Sequence, residues 1–319
     1  MFDYAVRRLL LMIVTLFFGS IILFVSMRTL PPEDAIERRL TPEARRECPE
    51  CADQQRRLLG IYGPLHNQYI RWATGFVTGD WGKSLLTAEP IVDELKRRIP
   101  VSVEIAFIGL FFTWAISFPL GILAAAHQDR FPDYSLRTIA YALDALPSFV
   151  LAILLLTYLA VYFNWAPPVT FTYLWEDPVA HLKIMLLPTF LIGLSSSGAL
   201  IRFTRTFLLE VMRQDYIRTA RSKGLPERTV FMRHALRNVA LPFVTIVGAT
   251  IPTLFAGSVI LELLFSLPGM GRYLVNAALN YDYNVVMTTT MFFAIITLTT
   301  QLLTDLSYAW FDPRVSYSR

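Results

Sequence analysis

The sequence predicts an all-α, polytopic membrane protein with six transmembrane helices. Two observations carry this. The 319 residues are 54% hydrophobic and only 17% charged, against roughly 25% charged in a soluble domain, and the mean hydropathy is +0.46. The apolar residues also gather into six blocks, at 9–25, 101–126, 139–163, 184–201, 239–265 and 285–310. Each approaches the roughly 20 residues a helix needs to cross hydrocarbon. They must be helices, because lipid satisfies no backbone polar group and the blocks lack the alternation of barrel strands.

The first block follows Arg7 and Arg8 and runs into Met27-Arg28-Thr29-Leu30-Pro31-Pro32, with no small-residue cleavage site. It reads as an uncleaved signal-anchor helix occupying residues 1–29. Residues 30–100 form an extracytoplasmic segment, and 101–319 a five-helix core with a basic loop at 202–238. Orientation comes from the short loops. With the N-terminus inside, segments 1–8, 127–138, 202–238 and 311–319 carry many Lys and Arg, from Arg7 and Arg8 to Arg314 and Arg319, whereas the short loops 164–183 and 266–284 hold only Lys183 and Arg272; the Arg residues of 30–100 are interspersed with about as many acids, in a segment too long for the rule to count. This asymmetry places both termini in the cytoplasm. The net charge of +4 then reflects basic loops, not nucleic-acid binding.

In the outer segment, residues 41–59 read as a polar helix with Thr41 as cap and Pro42 at the first position. Tyr69, Trp72 and Phe76 share one stripe of a helix over 66–76, which suits either an interfacial belt on lipid headgroups or a docking face for a partner. Residues 91–99 read as a short amphipathic helix ending at Pro100. Cys48 and Cys51 are the only cysteines. No second cysteine or histidine pair completes a zinc site, and an oxidising compartment favours a local disulfide between them.

No catalytic constellation appears. Gly79-Asp80-Trp81-Gly82-Lys83-Ser84 ends like a phosphate loop, but Val77 stands where the first glycine belongs. His66, His127, His181 and His234 are scattered at loops and span ends and read as interfacial. The chain is therefore expected to be non-enzymatic, with no metal or cofactor of its own.

The basic loop carries the most specific signal. Asp215 can cap a short helix, and Tyr216, Thr219, Ala220 and Lys223 recur at three- and four-residue spacing on one face. Gly224 stops it, and Pro226 begins a second helical piece running to His234. Small Ala220 would let a partner approach closely. A loop that only set topology would need charge but not this order of cap, small residue and glycine stop.

The run Asp215-Tyr216-Ile217-Arg218-Thr219-Ala220-Arg221-Ser222-Lys223-Gly224-Leu225, followed by Leu241-Pro242, resembles the cytoplasmic coupling loop of the permease subunits of binding-protein-dependent ABC importers, in the dipeptide/oligopeptide/nickel branch. Arg218-Thr219-Ala220 stands where the generic motif has Glu-Ala-Ala. Further resemblances are Gly79-Asp80-Trp81-Gly82, Ala145-Leu146-Pro147-Ser148-Phe149, the stretch from Glu262 to Arg272, and Asp312-Pro313-Arg314-Val315. The resemblance implies a type I ABC importer permease fold. It implies a paralogous permease subunit as partner, two ATPase subunits that bind ATP and Mg and receive the coupling helix, and an extracytoplasmic substrate-binding protein. It also implies a peptide substrate, with glutathione-like peptides or a nickel complex as alternatives. Two rivals are a secondary transporter, which would need an internal repeat, and a membrane scaffold.

Acids within spans are expensive and default to functional hypotheses. Asp144 and Glu262 are the pathway candidates, where a carboxylate could meet a peptide amino terminus. Asp305 reads as a packing residue. The alternative for each is an ion pair or hydrogen bond that fixes helix packing.

Overall fold

In a computed structural model, residues 2–29, 57, 62–168, 170–226 and 229–311 are described. Cys48, Cys51, the 41–59 helix and Asp312-Pro313-Arg314-Val315 lie outside the described residues. Among the described residues the fold is helical, and the sole strand-like feature is an isolated bridge between Lys83 and Pro90. Ten α-helices follow in order: α1 (Phe2–Thr29), α2 (Leu65–Thr78), α3 (Ile91–Ala126), α4 (Phe131–Ala145), α5 (Ser148–Phe163), α6 (Pro178–Met212), α7 (Asp215–Ser222), α8 (Leu236–Leu264), α9 (Met270–Leu279) and α10 (Tyr283–Phe311). A π-helical turn, Val230–Ala235, leads into α8.

Among the described residues four helices are long and apolar enough to cross a membrane: α1, α3, α6 and α10. A fifth span results if α4 and α5 count as one broken crossing, since they meet at 96°. This corrects the expected continuous helix over 139–163. Pro147 cannot continue a helix, and it forces Leu146 into extended backbone at φ −101°, ψ 114°. The fifth apolar block coincides with α8, whose apolar stretch is the shorter Gly248–Leu264. The helix expected to end before Pro100 instead runs on as the 36-residue α3. A proline removes one backbone donor, and a long apolar helix surrounded by others tolerates that loss.

The chain forms two compact units. The first comprises Met1–Val101 and Pro268–Thr299, the second Ser102–Leu267 and Thr300–Arg319. In the first, Ile91 and Leu95 pack with Met270, Tyr273, Ala277, Val285 and Val286. The Tyr69–Trp72–Phe76 stripe faces inward here. Phe24 of α1 meets Tyr69 and Trp72, and the run continues through Phe76 and Trp81 to Phe292, with ring centroids 5.2–6.1 Å apart. It is thus mainly internal packing, which corrects both readings of it as an outward belt or docking face.

In the second unit α6 is the axis, with Ile184, Met185, Leu191, Ile192, Leu200, Ile201 and Leu208 buried along it. Its start is capped by Asp177, which accepts from the Val179 and Ala180 N–H groups. Small residues let neighbours close in. A Cβ added at Gly193 would lie 2.7 Å from the Gly109 carbonyl oxygen of α3. Bare backbone at such a crossing is how helices associate where lipid supplies no hydrophobic drive.

Candidate coupling site and interior acids

Helix α6 has 35 residues, which at 1.5 Å per residue is about 52 Å. That exceeds the ~30 Å hydrocarbon core. Its final turns therefore project beyond the apolar block and carry Arg202, Arg205 and Leu208 with them. Arg213 closes α6, and Gln214 turns the chain in extended backbone (φ −73°, ψ 150°) into α7.

Gln214, not Asp215, is the N-cap of α7, and its side chain makes no cap bond. Asp215 occupies the first helical position, where its carboxylate complements the positive end of the helix dipole. The reason is the direction of the chain leaving α6: it becomes extended one residue earlier than the sequence pattern suggests. Gly224 behaves as expected of a helix stop, at φ +77°, with its N–H donating to the Arg221 carbonyl at 2.9 Å. Pro226 then starts the next turn, accepting from Val230 N–H at 3.1 Å.

Helix α7 has two unlike faces. Ile217 and Ala220 are buried, in a cluster with Ala125, Leu208, Val230 and Ala235. Ala220 therefore serves close approach within the chain, which corrects its expected role as a contact open to a partner. Asp215, Tyr216, Arg218, Thr219 and Lys223 are exposed. The helix thus rests through an aliphatic side on residues of α3, α6 and the π-helical turn and presents an aromatic ring, a hydroxyl and charges outward.

An ion pair absent from the sequence reading braces this end. Asp133, in the first turn of α4, is fully buried. Arg205 of α6 grips it with Nε to Oδ1 and Nη2 to Oδ2, both at 2.6 Å. The Asp129 N–H donates to Oδ2 at 2.9 Å. Two parallel charge-assisted bonds fix both the distance and the orientation of the helices. The sequence signal was only that Asp133 follows Pro132 at a helix start; its partner is 72 residues away.

The interior acids are engaged. Glu262 is fully buried and accepts from Ser102 Oγ of α3 at 2.7 Å and Ser258 Oγ at 3.3 Å. Asp144 accepts from Arg202 Nη2 at 2.7 Å, and that guanidinium lies 4.7 Å from the Tyr141 ring centre. Asp144 keeps 45% side-chain exposure, so of the two it is the more open. Asp305 is half-buried near the end of α10. His181, expected at an interface, is buried, with Nε2 2.6 Å from Glu104 Oε1 and Nδ1 2.8 Å from the Thr172 carbonyl oxygen. No cluster of three or more metal-ligating side chains occurs among the described residues.

Gly79-Asp80-Trp81-Gly82-Lys83-Ser84 also has a structural use, in the first unit. Asp282 is fully buried just before α10. Its Oδ2 accepts from Ser84 Oγ at 2.6 Å and Leu85 N–H at 2.8 Å, while Oδ1 caps Val285 N–H at 3.3 Å. One carboxylate pins the loop to the helix start.

Residues 117–317 match the family model described as "Binding-protein-dependent transport system inner membrane component". The chain is 33% identical over 321 residues to the glutathione transport system permease protein GsiC of Escherichia coli K12, covering 99% of this chain and 100% of that protein. It is 33% identical over 316 residues to the dipeptide transport system permease protein DppB of Bacillus subtilis, covering 98% and 97%. A solved structure of the MetNI methionine ABC transporter in an inward-facing conformation matches with a TM-score of 0.58 at 16% identity, over 71% of this chain and 100% of that chain. That likeness speaks for the fold.

Proposed function

This chain belongs to the family of inner-membrane components of binding-protein-dependent transport systems, and from that premise we propose that it is a permease subunit of an ATP-driven importer of small peptides. The observation that carries the substrate class is the end-to-end identity with both a dipeptide and a glutathione permease. Dipeptides and glutathione share peptide bonds and charged termini. A nickel complex remains the rival cargo.

In this reading a second, paralogous permease completes the pathway. Two ATPase subunits bind ATP and Mg, and a binding protein delivers the ligand on the extracytoplasmic side. Both termini and α7 face the cytoplasm. This chain hydrolyses nothing. Its contribution is mechanical: the exposed side of α7 is pushed by the ATPase, and the Ile217–Ala220 side passes the displacement to α6. The Arg205–Asp133 clasp carries it on to α4. Packed helices of this kind shift between discrete arrangements and do not deform continuously. Asp144, held by Arg202 and half open, is the residue in this chain best suited to meet a peptide ammonium along the path.

The test is uptake by the assembled transporter reconstituted with its binding protein. ATP-dependent accumulation of a labelled di- or tripeptide is expected. Accumulation of a nickel chelate but of no peptide would overturn the substrate class while leaving the importer intact.

A further inference from the structure

Helices α4 and α6 run antiparallel in step. A Cβ added at Gly198 would meet the Ala140 carbonyl oxygen, and Arg205 binds Asp133. Seven residues separate these two contacts on each helix. Depth along α4 can therefore be counted on α6, at about 1.5 Å per residue. Arg205 stands four residues past Ile201, where the apolar block ends. Phe131 begins α4 two residues beyond Asp133 in the same direction. The ring is thus roughly 9 Å past the apolar block. The headgroup layer on one side of a bilayer is about 5–8 Å thick, so Phe131 lies at or beyond its outer edge. Leu208, on which α7 rests, is at nearly the same level, about 10 Å past Ile201.

Phe131 is 83% exposed, more than any other Phe, Tyr or Trp among the described residues, and Tyr134, three residues on, is 54% exposed. We propose that Phe131, together with the turn before it, is a second contact with the ATPase subunit that α7 meets. The proposal rests on the reading of α7 as the coupling helix.

Continuity names the partner. Ala125, one residue before the end of α3, belongs to the cluster that seats Ile217 and Ala220. The turn 127–130 follows it directly, so it leaves the seat of α7 within two residues. The turn is also held in one shape. Asp129 is left-handed at φ +59°, a conformation that a residue with a Cβ seldom adopts. Its N–H donates to Asp133 Oδ2 at 2.9 Å. The Arg130 N–H donates to the His127 carbonyl at 3.0 Å, and the Tyr134 N–H to the Arg130 carbonyl at 3.1 Å. One carboxylate, Asp133, thereby fixes both the turn and the clasp to α6. A ring set in place beforehand loses little freedom on docking. That suits a shaped protein socket, whereas fluid headgroups require no fixed turn. The fitting socket is apolar, with a carboxylate for Arg130, which is exposed beside the ring.

The experiment uses the complete transporter. Photo-reactive benzoyl-phenylalanine at position 131 should cross-link this chain to an ATPase subunit. Phe131→Ala should lower ligand-stimulated ATP hydrolysis about fivefold to tenfold at an unchanged melting temperature, and Phe131→Trp should keep most of it. If Phe131→Ala does not assemble, the cross-link alone decides. Cross-links only to the second permease or to phospholipid would overturn the contact, and so would wild-type hydrolysis in Phe131→Ala. If that variant is silent while Tyr216→Ala with Lys223→Glu uncouples, the second contact fails and the coupling role of α7 stands. Silence in both would remove the two together.

Discussion

Arg205 holds the fully buried Asp133 through two parallel hydrogen bonds of 2.6 Å each, and this clasp ties α4 to the same end of α6 on which α7 rests. Removing one partner strands the other charge in a largely dry site. Breaking such a pair costs about 3–5 kcal/mol, more than the net worth of the pair itself. Asp133→Ala should therefore lower the melting temperature of the purified transporter and reduce uptake. The swapped pair Asp133→Arg with Arg205→Asp should recover part of the stability. A silent Asp133→Ala would mean that the clasp bears no load.

Glu262 separates a packing role from a substrate role. Glu262→Gln keeps an oxygen for the Ser102 and Ser258 hydroxyls, so stability and peptide uptake should stay within about twofold of wild type. Glu262→Ala removes the shared acceptor between α3 and α8 and leaves a void, at about 1–3 kcal/mol. If Glu262→Gln abolished uptake with normal folding, the negative charge itself would be the function, and the packing role would be refuted.

The Asp282 knot gives a local prediction. Asp282→Ala removes the acceptor of the Ser84 hydroxyl and of the Leu85 N–H, and uncaps α10. Hydrogen exchange over residues 83–88 and 283–286 should speed up, reflecting local destabilisation of about 1–3 kcal/mol. Ser84→Ala should have a smaller effect, because the backbone donors remain. Unchanged exchange in Asp282→Ala would contradict the knot.

How far the sequence carried can be judged from particular residues. The spans were legible because hydropathy is a local property, and Gly224 because a left-handed turn demands a residue type. The break at Pro147 had a local signal too, in the proline itself. The inward direction of Ala220 was readable in principle. Ile217, three residues before it, is the one large aliphatic side chain of α7, and the pair marks the buried side. The Asp133–Arg205 and Ser102–Glu262 pairs were not legible, since partners 72 and 160 residues apart leave no trace in spacing. The inward stripe of Tyr69, Trp72 and Phe76 was also beyond reach, because its neighbours come from α1 and α10.

Orientation is checked by labelling. Serine replacement of both Cys48 and Cys51 should leave uptake close to wild type, since the local disulfide expected from the sequence would have no part in transport. In that background a cysteine at Glu89 should react with an impermeant reagent added outside intact cells, and one at Gln214 should not. The reverse pattern would contradict the placement of α7 in the cytoplasm.

The central claim is that the exposed face of α7 couples this chain to an ATPase, and it is tested by Tyr216→Ala paired with Lys223→Glu in the complete transporter. Neither side chain belongs to the buried Ile217–Ala220 cluster, so the permease should fold, insert and melt as the wild type does. Loss of an aromatic anchor at an interface typically exceeds 1–2 kcal/mol. Ligand-stimulated ATP hydrolysis should then fall about tenfold, with weakened co-elution of the ATPase subunits. Wild-type hydrolysis and co-elution in the double variant would contradict the account, and would leave α7 as a loop that sets topology alone.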